Sequence, residues 1–200
     1  MKRTLRAKKI DLDPIEKRRD WVMFAGYARM HVSVSGGPIH DPHQEVLQLM
    51  IDPWRGDYES WAVYRHGNDA KKAGKIVFKK WNREVDKARF HGLGHKEAPK
   101  EWIGTDTITE QQIPVSGRWV NSLERRLDTL RIPPIAGIVR PFSSADPLRL
   151  RLWRESQQSE FQWQQNPPRA WEPISRLFNS LLRSFRDHIT GKPLTPIRDL

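Results

Sequence analysis

The chain contains no cysteine. That single absence excludes disulfide staples, thiolate nucleophiles and cysteine-ligated zinc or iron–sulfur centres together, and the expected setting is a reducing cytoplasm. Long apolar runs are missing too. Nowhere do about 18 uncharged apolar residues follow one another, so no membrane span and no membrane partner is expected. The basic start MKRTLRAKKIDLDPIEKRRD gives way to acidic and polar residues, without the apolar core of a signal peptide. Catalytic fingerprints are equally scarce. The glycines occur as Gly36-Gly37 and as Gly92-Leu93-Gly94, neither in the strand–turn–helix context of a phosphate-cradling loop or dinucleotide fingerprint, and no serine stands in a nucleophile elbow. The expectation is a soluble protein without a cofactor, and enzymatic activity is not its leading reading.

Aliphatic residues are in short supply, with 37% of the chain hydrophobic, but 9 Trp and 7 Phe offset this because each buries a large area. Two hundred residues suffice for one substantial core. The domain expectation is a flexible basic arm over residues 1–12 followed by one domain over 13–200, with a possible sub-boundary at 91–115.

Asp13-Pro14-Ile15-Glu16 reads as a helix start, and a short helix is expected to about residue 27. From residue 28 the period changes, since Met30, Val32 and Val34 alternate with Arg29, His31 and Ser33, which predicts a strand over 28–35. Further strands are expected at EVLQLMID (45–52), YESWAVYR (58–65) and KIVFKKW (75–81). Their turn-rich connections leave no room for crossover helices and so imply an antiparallel meander. A short helix over 82–90 closes this part, and 91–115 reads as a long loop. Ser116 caps a helix with Trp119, Leu123, Leu127 and Leu130 on one stripe, a short strand is possible at Ile138-Val139, and LRLRLWR (148–154) pairs with EFQWQ (160–164) as a hairpin. The run 171–189 places Ile174, Leu177, Phe178, Leu181, Leu182 and Phe185 on one helical face. The fold class is therefore α+β: an antiparallel β-sheet, meander plus hairpin, packed by two main amphipathic helices.

Three groups of residues carry whatever chemistry the sequence offers. In SGGPIHDPHQE (35–45), His40, Asp41 and His43 are weak catalytic candidates, and His40 and His43 with His91 and His95 are weak metal-ligand candidates. Pro38 and Pro42 deny the first pair a helical register, and Gly92 and Gly94 work against a helix around the second, so a site needs the two loops to converge. The bland reading of 35–45 is a solvated hairpin turn between the strands at 28–35 and 45–52.

The second group is cationic. Between Lys71 and Lys100 lie ten Lys and Arg, including Lys71, Lys72, Lys75, Lys79, Lys80, Arg83 and Lys87, against the three acids Glu84, Asp86 and Glu97. Such density attracts anions, nucleic-acid phosphates first among them, and the arm cations Lys2, Arg3, Arg6, Lys8 and Lys9 would add to it. Glu84, Asp86 and Glu124 read as surface ion-pair partners. The third group is aromatic and basic: Trp54-Arg55 and Trp153-Arg154 are candidate partner contacts, because Trp and Arg dominate interface hot spots.

Three functions fit these patterns. The leading one is a non-catalytic protein that binds a macromolecular partner, in the manner of a small bacterial accessory or immunity-type protein. The alternatives are a nucleic-acid-binding protein using 71–100, and a metal-dependent hydrolase or nuclease using His40 and His43. Oligomeric state is not legible.

Overall fold

The computed structural model describes residues 19–33, 43–52, 56–66, 73–93, 107–130, 148–154, 157–163, 167 and 169–199. In chain order the elements are α1 (Arg19–Ser33), β1 (His43–Ile51), β2 (Tyr58–His66), β3 (Gly74–Trp81), α2 (Arg83–Leu93), β4 (Ile108–Val115), α3 (Gly117–Thr129), β5 (Leu148–Arg154), β6 (Gln157–Trp163) and α4 (Glu172–Ile189). The six strands form one sheet in the order β4-β3-β2-β1-β5-β6, with every described pairing antiparallel. The α+β class, with its meander and hairpin, is what the alternation of the strands implied.

Register sorts the side chains onto two faces. On one, Phe78, Trp61, Leu49, Leu150 and Phe161 run across neighbouring strands in a single row, with Ile113, Ile76, Val63, Leu47 and Leu152 in the next. This face is covered by α3 and α4. The α4 stripe predicted from period 3.6 is buried as expected: Phe178 meets Trp163 edge-on at 5.1 Å, and Phe185 stacks on Trp61 at 5.7 Å. Burying each such side chain stabilises by about 1.5–3 kcal/mol, so this layer is the main core. Ser116 caps α3 by accepting from the Trp119 amide at 3.2 Å, and the Trp119 indole donates to the Thr195 carbonyl at 3.0 Å, tying the C-terminal segment to the same layer.

The opposite face is where expectation and structure part. The strand predicted over 28–35 is not there; α1 continues through Ser33. Three alternating residues, Met30, Val32 and Val34, suggested period two, but Trp21, Phe24, Ala25, Ala28 and Val32 keep helical spacing over a longer stretch, and these five are buried together with Tyr58, Trp81 and Phe90. The turn reading of 35–45 as a hairpin between two strands falls with it, since a helix precedes β1. A second departure is β4, inside the stretch expected to be a loop. ITEQQIPV buries only Ile113 and Val115 among mostly exposed neighbours, as an edge strand does, so its alternation is too diluted to read. The possible strand at Ile138-Val139 lies outside the described residues.

Candidate functional site

Most of the histidine site lies outside the described residues: His40, Asp41 and His95 do, as does the side chain of His43. The His43 backbone opens β1 opposite His66, and His91 is exposed in the last turn of α2. Among the described residues no group of three or more His, Asp or Glu is placed to hold a metal ion.

Within the cationic segment, Lys71, Lys72, Lys96 and Lys100 fall outside the described residues, and the others named above are engaged. Lys75 Nζ stands 5.5 Å over the Tyr64 ring, Lys79 pairs with Glu110 at 3.6 Å and Lys80 pairs with Asp57 at 2.8 Å. Arg83 is buried, and both Arg83 and Lys87 have partners of their own. Lys75, Lys79 and Trp81 do alternate onto one face, with Lys80 on the other, but Trp81 is closed into the α1 cluster instead of standing open for stacking.

Asp86 is not a surface ion-pair partner. It is 1% exposed, and its carboxylate accepts from the Trp81 indole at 2.7 Å and the Thr107 hydroxyl at 2.6 Å, with Arg89 at 3.4 Å. It fastens the start of α2 to the end of β3 and the entry to β4. Glu124 does pair with Arg65, at 3.3 Å, and burial raises its pKa above the ordinary value, with Arg65 working against the rise and Asp128 adding to it. Of the aromatic–arginine pairs, Trp54 and Arg55 lie outside the described residues. Trp153 and Arg154 are described by backbone only, opposite Gln158 and Gln157.

What the structure brings together instead is centred on α1. The helix turns Trp21, Phe24, Ala25 and Ala28 inward, and this leaves Val22, Met23, Tyr27 and Met30 57%, 54%, 45% and 51% exposed on its outer side. Gly26 lies among them, and beyond its chain neighbours and its own helix's backbone nothing stands within 4 Å of where its Cβ would be. The helix is anchored through its last turn, where Gln48 Nε2 donates to the Ser33 carbonyl at 2.9 Å and to Ser60 Oγ at 2.8 Å. One turn earlier, Arg29 pairs with Asp52 at 3.2 Å.

Asp52 also faces Arg149 of β5 at 3.9 Å, and Arg151 pairs with Glu160 of β6 at 2.7 Å. Register puts Arg149 beside Met50 and Gln162, and Arg151 beside Gln48 and Glu160, so this polar shelf lies on the α1 side of the sheet. Burial, and next the Asp52 charge, push the Tyr58 phenol above its ordinary pKa of 10.0, opposed by Arg149, Arg29 and Arg151. The period-3.6 continuation of α1 through Val32 was the sequence signal that would have exposed this outer stripe. Taking Met30 for a strand residue hid it. Compared with protein-family models, curated proteins and solved structures, the chain matches none.

Proposed function

We propose that this chain is a non-catalytic binding protein that holds a protein partner on the outer side of α1. The observation that carries the reading is the concentration of exposed apolar side chains. Four of the five large hydrophobic residues most exposed among those described, Val22, Met23, Tyr27 and Met30, lie on this one helix, the fifth being Val85. Single exposed apolar residues are ordinary, but a contiguous patch rimmed by polar groups is characteristic of contact surfaces, and Tyr and Met are enriched in interface centres. Each such side chain covered by a partner contributes about 1.5–3 kcal/mol before the costs of association.

The nucleic-acid alternative draws less support, because Lys75, Lys79 and Lys80 are already held by Tyr64, Glu110 and Asp57. The hydrolase alternative has no described cluster behind it. A benzophenone side chain installed at position 23 tests the reading: in the native host it should cross-link to a defined polypeptide that the same group at the exposed position 183 of α4 does not capture. That polypeptide, purified, should then bind the wild-type chain. Equal products from both positions would contradict the reading.

A further inference from the structure

The chain reverses where α4 ends. The Thr190 and Gly191 N–H groups return to the Asp187 and His188 carbonyls, and the Lys192 N–H reaches the Asp187 carbonyl at 3.1 Å. Gly191 sits at φ 92°, in the left-handed region that suits glycine, so the backbone folds back along the helix it has just left. Residues 192–199 then lie as a strap across the seam between α4 and α3. The Thr195 N–H donates to Ser184 Oγ of α4 at 2.9 Å, and the Thr195 carbonyl accepts from the Trp119 indole of α3 at 3.0 Å. Ile197 is buried in the main core and Leu194 packs against it, while Lys192, Pro193, Pro196, Arg198 and Asp199 are exposed.

We infer that this seam is a peptide-binding groove, occupied in the folded chain by its own strap, and that its ligand class is an extended, proline-held segment with two aliphatic anchors three residues apart. The inference is independent of α1, which lies on the opposite face of the sheet. Ser184 and Trp119 satisfy both backbone groups of one residue, Thr195, and strap side chains enter the core only at Leu194 and Ile197. Recognition of a main chain by fixed donors and acceptors, with apolar pockets beside it, is how grooves hold extended peptides. Trp119 and Phe185, with ring centroids 6.0 Å apart, give the seam an aromatic wall. Pro193 and Pro196 fix φ and carry no N–H, so a segment of this kind is ordered at small entropic cost.

The strap is also separable from the fold. No described strand pairing involves it, and the α4 stripe packs on the sheet without it. Its remaining ties are at the surface: Lys192 pairs with Asp187 at 3.0 Å, the two side chains 65% and 42% exposed, and His188 Nδ1 donates to the Lys192 carbonyl at 2.7 Å. Once the strap lifts, water can serve the Ser184 hydroxyl and the Trp119 indole, so the open groove is not left with stranded polar groups.

The test uses the full chain, with its strap released by Leu194→Asp and Ile197→Asp together, and a fluorescein-labelled peptide GKPLTPIRDL, the sequence of residues 191–200. By fluorescence anisotropy the peptide should bind the released variant at least about tenfold more tightly than wild type, where the tethered strap competes at high effective concentration. Adding Trp119→Phe to the released variant should weaken the peptide by up to about tenfold, through loss of the indole donor. In wild type, exchange of the Thr195 amide should be unchanged by low urea, while that of the Phe185 amide rises with it, because the strap opens locally and α4 only globally. A folded released variant that does not take up the peptide, or takes it up equally with and without Trp119, overturns the groove. Loss of the fold on releasing the strap, or a Thr195 amide that follows Phe185, shows a core segment and overturns the inference as well.

Discussion

Arg29 of α1 and Arg149 of β5 share one carboxylate, that of Asp52 at the end of β1, with contacts of 3.2 and 3.9 Å. The helix and the far half of the sheet are thereby linked by charge. Asp52 is one of the more buried acids in these pairs, its side chain 14% exposed, and removing its charge leaves two part-exposed guanidinium groups without the carboxylate they share. Asp52→Asn is expected to lower stability by about 1–2 kcal/mol, read from the midpoint of urea unfolding. It should also raise amide exchange in the last two turns of α1 more than elsewhere.

Tyr58 gives the account an alkaline limb. Its hydroxyl is buried, donating to the Met50 sulfur at 3.7 Å, and burial first and Asp52 second raise its pKa above 10.0. The folded chain therefore keeps this proton at pH values where the unfolded chain has lost it, so stability present below pH 10.0 is lost as pH rises from there toward the raised value. Tyr58→Phe should remove this part of the loss. Urea midpoints of the two proteins should run parallel below that pH and diverge above it, the wild type falling faster.

Asp86 predicts a local collapse. Its partners Trp81 and Thr107 belong to different strand ends, and Asp86→Ala strands a buried indole N–H and a buried hydroxyl at once. A loss of about 3 kcal/mol is expected from urea unfolding, with Asp86→Asn losing less because its carbonyl oxygen can still accept.

Gly74 predicts a steric cost. A Cβ at this position would clash with the Tyr64 carbonyl oxygen, which is backbone in the partner strand, and would stand 2.7 Å from Val120 Cγ2. Gly74→Ala should destabilise by about 1–3 kcal/mol, with Val120→Ala relieving part of the loss in the double variant.

These positions mark where sequence was informative. The α4 stripe from Ile174 to Phe185 and the alternation of Leu148, Leu150 and Leu152 are long enough for their period to declare itself, and both elements stand where that period places them. The α1 error came from a helix with two different faces. Its exposed side carries Met30 as its buried side carries Val32, so a short window centred there alternates by accident. β4 was hidden because an edge strand buries little. Asp86 was misjudged because local sequence shows its basic neighbours but not Thr107, 21 residues away, whose hydroxyl helps to hold it in the core. The outer stripe of α1 was illegible as a site until the helix was recognised through Ser33, since only then do Val22, Met23, Tyr27 and Met30 share a side.

The central claim is that α1, and not the cationic segment, is the contact surface. It is tested most directly by the dissociation constant of the purified cross-linked partner for three forms of this chain: wild type, Met23→Asp with Met30→Asp, and Lys79→Glu with Lys80→Glu. The account predicts roughly a hundredfold loss for the α1 variant and a change within about twofold for the lysine variant, both retaining the wild-type thermal midpoint to within a few degrees. A lysine variant that loses binding while the α1 variant keeps it would contradict the account.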